Sequence, residues 1–220
     1  MSEIKISEIF SSYQGEGLYA GEKQIFVRFY GCNLKCSYCD EIEKKYEVYD
    51  TKRVVSEIEK LSKKENIKTI SFTGGEPLLY VDEIKSIIKE LNGYKFMLET
   101  NGVFYKEVKK VIKFIDIVSM DIKLPQYTGK DFFNEHFEFL KVSRDKVYVK
   151  VIFDNKVDIR DFKRAVNLVS KVSKKIPFFI QPISGKKIDF KVIDKLYFIA
   201  IRKLSDVRFL PQIHKLINVK

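Results

Sequence analysis

Seven short runs rich in β-branched and aromatic residues punctuate this chain, at 24–30, 69–73, 95–99, 117–121, 147–153, 178–181 and 207–210. Stretches of helical period separate most of them. Residues 51–64 set Val54, Val55, Ile58 and Leu61 on one face, and 81–91 do so with Ile84, Ile87, Ile88 and Leu91. Residues 158–172 and 189–203 read the same way, and each opens on an aspartate placed to cap a helix. Strands alternating with helices predict an α/β fold with a mostly parallel sheet, because parallel neighbours need long crossovers. Seven strands suffice for a partial barrel. With 220 residues, 45% of them hydrophobic, the chain is expected to form a single domain over 1–220.

The chemically unusual residues fall at one recurring place. Cys32 follows the first run, Gly74-Gly75-Glu76-Pro77 the second, and Thr100-Asn101-Gly102 the third. Lys123 follows the fourth, Pro182 the sixth, and Gln212-Ile213-His214-Lys215 the seventh. In parallel α/β folds the carboxyl ends of the strands carry the active site, because their loops open on one face.

All three cysteines lie in Cys32-Asn33-Leu34-Lys35-Cys36-Ser37-Tyr38-Cys39. An odd number of thiols cannot close a set of disulfides. Structural zinc takes four ligands, and no histidine is near; zinc or plain buried thiols remain the bland alternatives. Three thiolates suit a [4Fe–4S] cluster with one iron left open for chemistry. The CxxxCxxC spacing, with Tyr38 before the last cysteine, resembles the radical S-adenosylmethionine superfamily. That resemblance implies an incomplete (β/α)6 barrel, a [4Fe–4S] cluster on Cys32, Cys36 and Cys39, S-adenosylmethionine on the open iron, and an external electron donor.

Further motifs extend the likeness. Ser71-Phe72-Thr73-Gly74-Gly75-Glu76-Pro77 follows a strand but lacks the lysine and serine of a phosphate loop. Alone it reads as a glycine turn. Beside the cysteines it resembles the superfamily's GGEP element, which implies that Gly74, Gly75 and Glu76 hold the amino group of S-adenosylmethionine. Asp121-Ile122-Lys123 sets two charges on one side of a strand end, which alone reads as a self-satisfied ion pair. The resemblance adds Tyr38, Asp40, Lys123 and Gln181, with Cys39, to the cofactor's surroundings.

Upstream, Phe10-Ser11-Ser12-Tyr13-Gln14-Gly15-Glu16-Gly17 is a glycine-punctuated segment suited to a binding loop, whose amide and carboxylate can pair with a heterocycle edge. Arg28 stands between apolar Val27 and Phe29 and needs an anion, either a ligand carboxylate or a protein Asp or Glu. These segments, with ETNG and the closing QxHKL, resemble the 7-carboxy-7-deazaguanine synthase family over residues 10–214. The resemblance implies ring contraction of 6-carboxy-5,6,7,8-tetrahydropterin with loss of ammonia, on the route to the deazapurine nucleosides of tRNA. It implies that Tyr13, Gln14, Gly15, Glu16, Arg28, Thr73, His214 and the C-terminal Lys220 surround the pterin, and that the protein is a homodimer. A threonine that ligates Mg²⁺ in the family is replaced by Glu41, a harder oxygen ligand. Of the two histidines, His136 reads as structural and His214 as a site residue.

The charge balance is 41 basic against 30 acidic residues, a formal +11. The lysines are dispersed and often neighbour acidic residues, which argues against direct nucleic-acid binding and fits an anionic small substrate. No apolar run spans a membrane, and the N-terminus lacks a signal-peptide layout, so a cytoplasmic enzyme without a membrane partner is expected. Two rivals share the cysteines. A glycyl-radical-enzyme activase has no use for QGEG with Arg28, and a zinc or tRNA-binding module leaves GGEP unexplained.

Overall fold

A computed structural model describes residues 3–39, 45–217 and 219. The strands are β1 (Ile4–Tyr13), β2 (Lys23–Phe29), β3 (Glu47–Tyr49), β4 (Thr69–Gly74), β5 (Lys95–Thr100), β6 (Ile117–Asp121), β7 (Val147–Phe153), β8 (Phe178–Pro182) and β9 (Val207–Phe209). The helices are α1 (Thr51–Glu65), α2 (Val81–Glu90), α3 (Tyr105–Val108), α4 (Pro125–Thr128), α5 (Phe133–Ser143), α6 (Ile159–Val172), α7 (Phe190–Ile201) and α8 (Ile213–Leu216). Local chemistry sets several boundaries. The Asp50 carboxylate accepts from Arg53 N at 2.8 Å to start α1, and Asn66 ends it in the left-handed region at φ 54°. Asp158 and Asp189 cap α6 and α7 as their positions predict. None of the helices among the described residues is long and apolar enough to cross a membrane.

One nine-stranded sheet runs in the order β3-β1-β2-β4-β5-β6-β7-β8-β9. From β2 through β9 every neighbour is parallel and in chain order, so the strands form the wall of an incomplete barrel with β3 and β9 at its edges. β1 and β3 are antiparallel additions that the sequence reading omits. The segment from Phe10 to Tyr13, expected as part of a loop, is the end of β1 paired with β2. A register shift between Ile6 and Glu8 interrupts the alternation of β1, which blurs its two-residue period.

The two faces of the parallel strands differ. Outward residues such as Phe72, Phe96, Leu98, Val118, Val149 and Ile180 pack against the helices as one core. On the other face Met97, Ile117, Tyr148 and Phe179 form a separate inner cluster. Two residues further along each strand, on that same inner face, stand Glu99, Ser119, Lys150 and Gln181. The interior is therefore apolar at its floor and polar at its carboxyl mouth. Phe72 is fully buried and stacks on Phe96 at 5.9 Å between ring centroids. Phe72→Ala should cost about 3–5 kcal/mol in urea unfolding. A loss below about 1 kcal/mol would mean that the outer core does not carry the sheet.

Candidate active site

A cavity of about 1170 Å³ opens at the carboxyl ends of the strands. Its lining includes Cys32, Cys36, Tyr38, Cys39, Gly74, Gly75, Lys123 and Gln181, which the superfamily resemblance assigns to the cluster and cofactor. Tyr13, Gln14, Gly15, Glu16, Arg28, Thr73 and His214 line it as well. Asp40, Glu41 and Lys220, also singled out from the sequence, lie outside the described residues.

The cysteine loop follows β2. Its three thiols are free, with Cys36 buried and Cys32 and Cys39 exposed. Ser37 N donates to Tyr127 O at 2.9 Å and ties the loop to α4. Leu34 N donates to Cys32 Sγ at 3.4 Å, and Asn101 Nδ2 approaches it at 3.8 Å while donating to Asn33 Oδ1 at 2.8 Å. Desolvation within the loop pushes the Cys32 and Cys36 thiols up from the ordinary range, and binding as thiolates would reverse this. Among the described residues no three His, Cys, Asp or Glu side chains converge on a point that one metal ion could fill. Three thiols lining one cavity suit a wider iron–sulfur cube, and N–H donors to a thiolate are the usual way such a cube is tuned.

The glycine turn after β4 is pressed against this loop. A Cβ on Gly75 would lie 2.1 Å from Gly31 O and 3.0 Å from Cys32 Cβ, so only glycine lets the turn sit flush with the cysteines. Glu76 differs from expectation. It does not line the cavity: its buried carboxylate accepts from Thr100 Oγ1 at 2.8 Å, Asn101 N at 2.8 Å and Leu78 N at 3.1 Å. It pins the turn after β4 to the turn after β5. Gln181 is fully buried, and both of its side-chain polar atoms lack a partner within the protein. An amide left unpaired beside a cavity is a strong sign of a missing polar ligand.

Four charges cross the mouth. Lys123 Nζ donates to Asp121 Oδ2 at 2.9 Å and to the Tyr38 hydroxyl at 3.4 Å, Lys150 Nζ pairs with Asp121 Oδ1 at 3.3 Å, and Lys150 also pairs with Glu16. Burial by itself would raise the Glu16 and Asp121 carboxyls, yet Lys150 beside Glu16, and Lys123 with Lys150 beside Asp121, hold both below the ordinary range. Burial lifts the Tyr38 hydroxyl to about 12, so it remains a donor. Glu16 also accepts from Gln212 Nε2.

On the opposite wall Gln14 Nε2 donates to Glu99 Oε1 at 2.7 Å, and Glu99 accepts from Ser71 Oγ at 3.1 Å and Thr73 Oγ1 at 2.9 Å. Gln14 Oε1 accepts from Glu16 N at 3.0 Å. Arg28 meets Glu8 Oε2 at 3.2 Å and lies 4.9 Å over the Phe10 ring, so its anion here is a protein carboxylate. Gly15 O accepts from Ile213 N at 2.9 Å, and a Cβ on Gly15 would fall 1.9 Å from His214 Nδ1. The first and last motifs thus meet at one point. His136 is buried outside the cavity, with Nε2 3.0 Å from Asn101 O, and burial lowers its ring to about 4, as a structural residue requires.

Lys150, Glu99, Asn101 and Gln212 belong to this site but were not assigned a role from the sequence. Lys150 was detectable as the one charge within Val147–Phe153, in phase with Tyr148 and Ile152 on the inner face. Glu76 offers a test of the pin. Burial, opposed by the Asn101 and Leu78 N–H groups, raises its carboxyl from 4.5 to about 7, so the folded chain holds the proton more tightly than the unfolded one. Its contribution to stability is present below about 4.5 and is lost as pH rises through about 7. Glu76→Gln should reduce the fall in unfolding free energy between pH 5 and pH 8 by about 2–4 kcal/mol. An unchanged pH slope would place the carboxyl in a wetter setting than this geometry gives it.

Comparison with known proteins agrees with this geometry. The family described as the Radical SAM superfamily matches residues 26–180. The chain is 32% identical over 239 residues to the 7-carboxy-7-deazaguanine synthase of Geobacter sulfurreducens, covering 96% of each chain. It is 32% identical over 242 residues to the enzyme of that name from Methanopyrus kandleri, covering 98% of this chain and 94% of the other. In fold it is similar to the crystal structure of QueE from Escherichia coli, with TM-score 0.66, 18% identity, and coverage of 96% and 95%.

Proposed function

This chain belongs to the radical SAM superfamily and, within it, to the 7-carboxy-7-deazaguanine synthase family, and on that premise we propose that it converts 6-carboxy-5,6,7,8-tetrahydropterin into 7-carboxy-7-deazaguanine and ammonia. The observation that most supports this substrate is the meeting of Gln14-Gly15-Glu16 with Gln212-Ile213-His214 in the cavity that the three cysteines face. An activase acting on a protein partner would need an open docking groove, whereas Arg28 and Gln14 line one small-molecule cavity.

Cys32, Cys36 and Cys39 would hold the [4Fe–4S] cluster. With S-adenosylmethionine bound, it would supply radical chemistry, given an electron from an external donor. Gly74, Gly75, Tyr38, Lys123 and Gln181 would surround that cofactor, together with Asp40, with Gln181 gaining the partners it lacks. Glu76 acts on it indirectly by holding the turn in place. Gln14 and Glu16 present an acceptor-rich wall to the pterin's amino and ring N–H groups, and Thr73, Tyr13 and His214 border the same space. Arg28 is the cation offered to the substrate carboxylate and would share its guanidinium between that group and Glu8. Glu41 is the candidate Mg²⁺ ligand, and Lys220 the candidate for closing the pocket. A cytoplasmic homodimer that does not itself bind nucleic acid completes the proposal.

The test is an anaerobic assay of the reconstituted enzyme with S-adenosylmethionine, reductant, Mg²⁺ and the pterin, followed by mass spectrometry. Product formed with the cofactor largely unconsumed is expected. 5′-Deoxyadenosine without deazaguanine product would discard the substrate and favour the activase. Replacing any one of the three cysteines by alanine should reduce bound iron and abolish turnover. Arg28→Ala should raise the pterin KM by about 10–100-fold, the loss of one charge-assisted pair. An unaltered KM would leave Arg28 as the partner of Glu8 alone.

A further inference from the structure

Lys150 has no role in the assignments above, yet its setting is demanding. Its side chain is only 4% exposed, on the inner face of β7, and faces the cavity. A lysine in such a place persists only when opposite charges surround it. Two do so: Glu16 from the loop after β1, and Asp121 across the β6–β7 register, where it is the direct pairing partner of Lys150. Asp121 in turn holds Lys123, which reaches Tyr38 in the cysteine loop. Glu16, on the other side, accepts from Gln212 of the terminal motif. Among the described residues, the Lys150 ammonium pairs with both the acid on the pterin side and the acid on the cofactor side.

We infer that Lys150 is a positioning residue, which sets the orientation of Glu16 and so the affinity of the site for the amino-bearing edge of the pterin ring. The argument rests on the functional reading above. The loop carrying Glu16 also meets β7 through Tyr19, whose ring centroid lies 6.3 Å from that of Tyr148, but Lys150 is the contact that β7 makes with the Glu16 carboxylate itself. Without the ammonium, Glu16 would face Asp121 as a like charge in a dry mouth. The carboxylate would then turn away or take up a proton, and in either form it would no longer accept two ring hydrogens. Arginine retains the charge and can reach both acids, whereas methionine fills the volume without it.

The experiment compares the reconstituted enzyme with Lys150→Met, Lys150→Arg, Glu16→Gln and the double variant Glu16→Gln/Lys150→Met. Iron content and melting are followed alongside. Fluorescence quenching gives the Kd of oxidised 6-carboxypterin, an unreactive probe, and steady-state assays give KM and kcat. Lys150→Met should raise Kd and KM by 10-fold or more with a smaller fall in kcat, Lys150→Arg should restore both to within about 3-fold, and the double variant should bind no worse than Glu16→Gln alone. Equal losses in the double variant and in the sum of the single ones would overturn the coupling. So would an unchanged Kd in Lys150→Met, or a fall in kcat with Kd intact. If Lys150→Met fails to fold, a Lys150→Arg Kd raised as far as that of Glu16→Gln would overturn the proposal, and a near-normal one supports it. Failure of the unaltered enzyme to bind the pterin is a different result, because it removes the substrate assignment itself.

Discussion

Two carboxylates and two ammonium groups, Glu16, Asp121, Lys123 and Lys150, share the carboxyl mouth of the sheet, where most water is excluded. Each alone would cost several kcal/mol to bury, and each is tolerated because its neighbour carries the opposite sign. The chain of charges runs sideways from the loop after β1, through β7 and β6, to the cysteine loop. It fixes the relative positions of three segments that share no secondary structure. The rest of the site is arranged around it, since the cavity is bounded on one side by the loop Glu16 stabilises and on the other by the loop Tyr38 belongs to.

A second brace, made of hydrogen bonds rather than ion pairs, keeps the cysteine loop in place. The Glu76 carboxylate ties the turn after β4 to Thr100 and Asn101, and Asn101 passes the restraint to Asn33 and toward the Cys32 sulfur. The GGEP motif therefore contributes in two physical ways. Its glycines remove bulk so that a ligand and the cysteines can approach, and its acid works behind the surface as a rivet.

The sequence was most legible where the two-residue and 3.6-residue periods were clean. β6 and β7 match their expected bounds, and the aspartate caps of α6 and α7 stand where their positions imply. Legibility failed at β1, because a register shift scrambles its alternation and glycines nearby suggest a loop. It failed at β3, three residues long, because so short a pairing leaves no period. In the site, residues within motifs were found and residues identified only by phase were missed. Lys150 and Glu99 are visible once the inner face is known, since they follow Tyr148 and Met97 by two. Arg28 and Gln14 line the cavity, but no sequence pattern reveals that Glu8 and Glu99 already engage them.

The contact between Glu16 and Gln212 spans 196 positions of chain. On a ribosome, residues 1–180 can pair most of the sheet and display the three thiols well before Gln212 and His214 emerge. A nascent or truncated chain would thus own the cluster-binding half without the wall that shields a reactive intermediate. Tying the substrate loop to a segment that follows β9 means that the chamber is complete only after the parallel strands from β2 to β9 have been made.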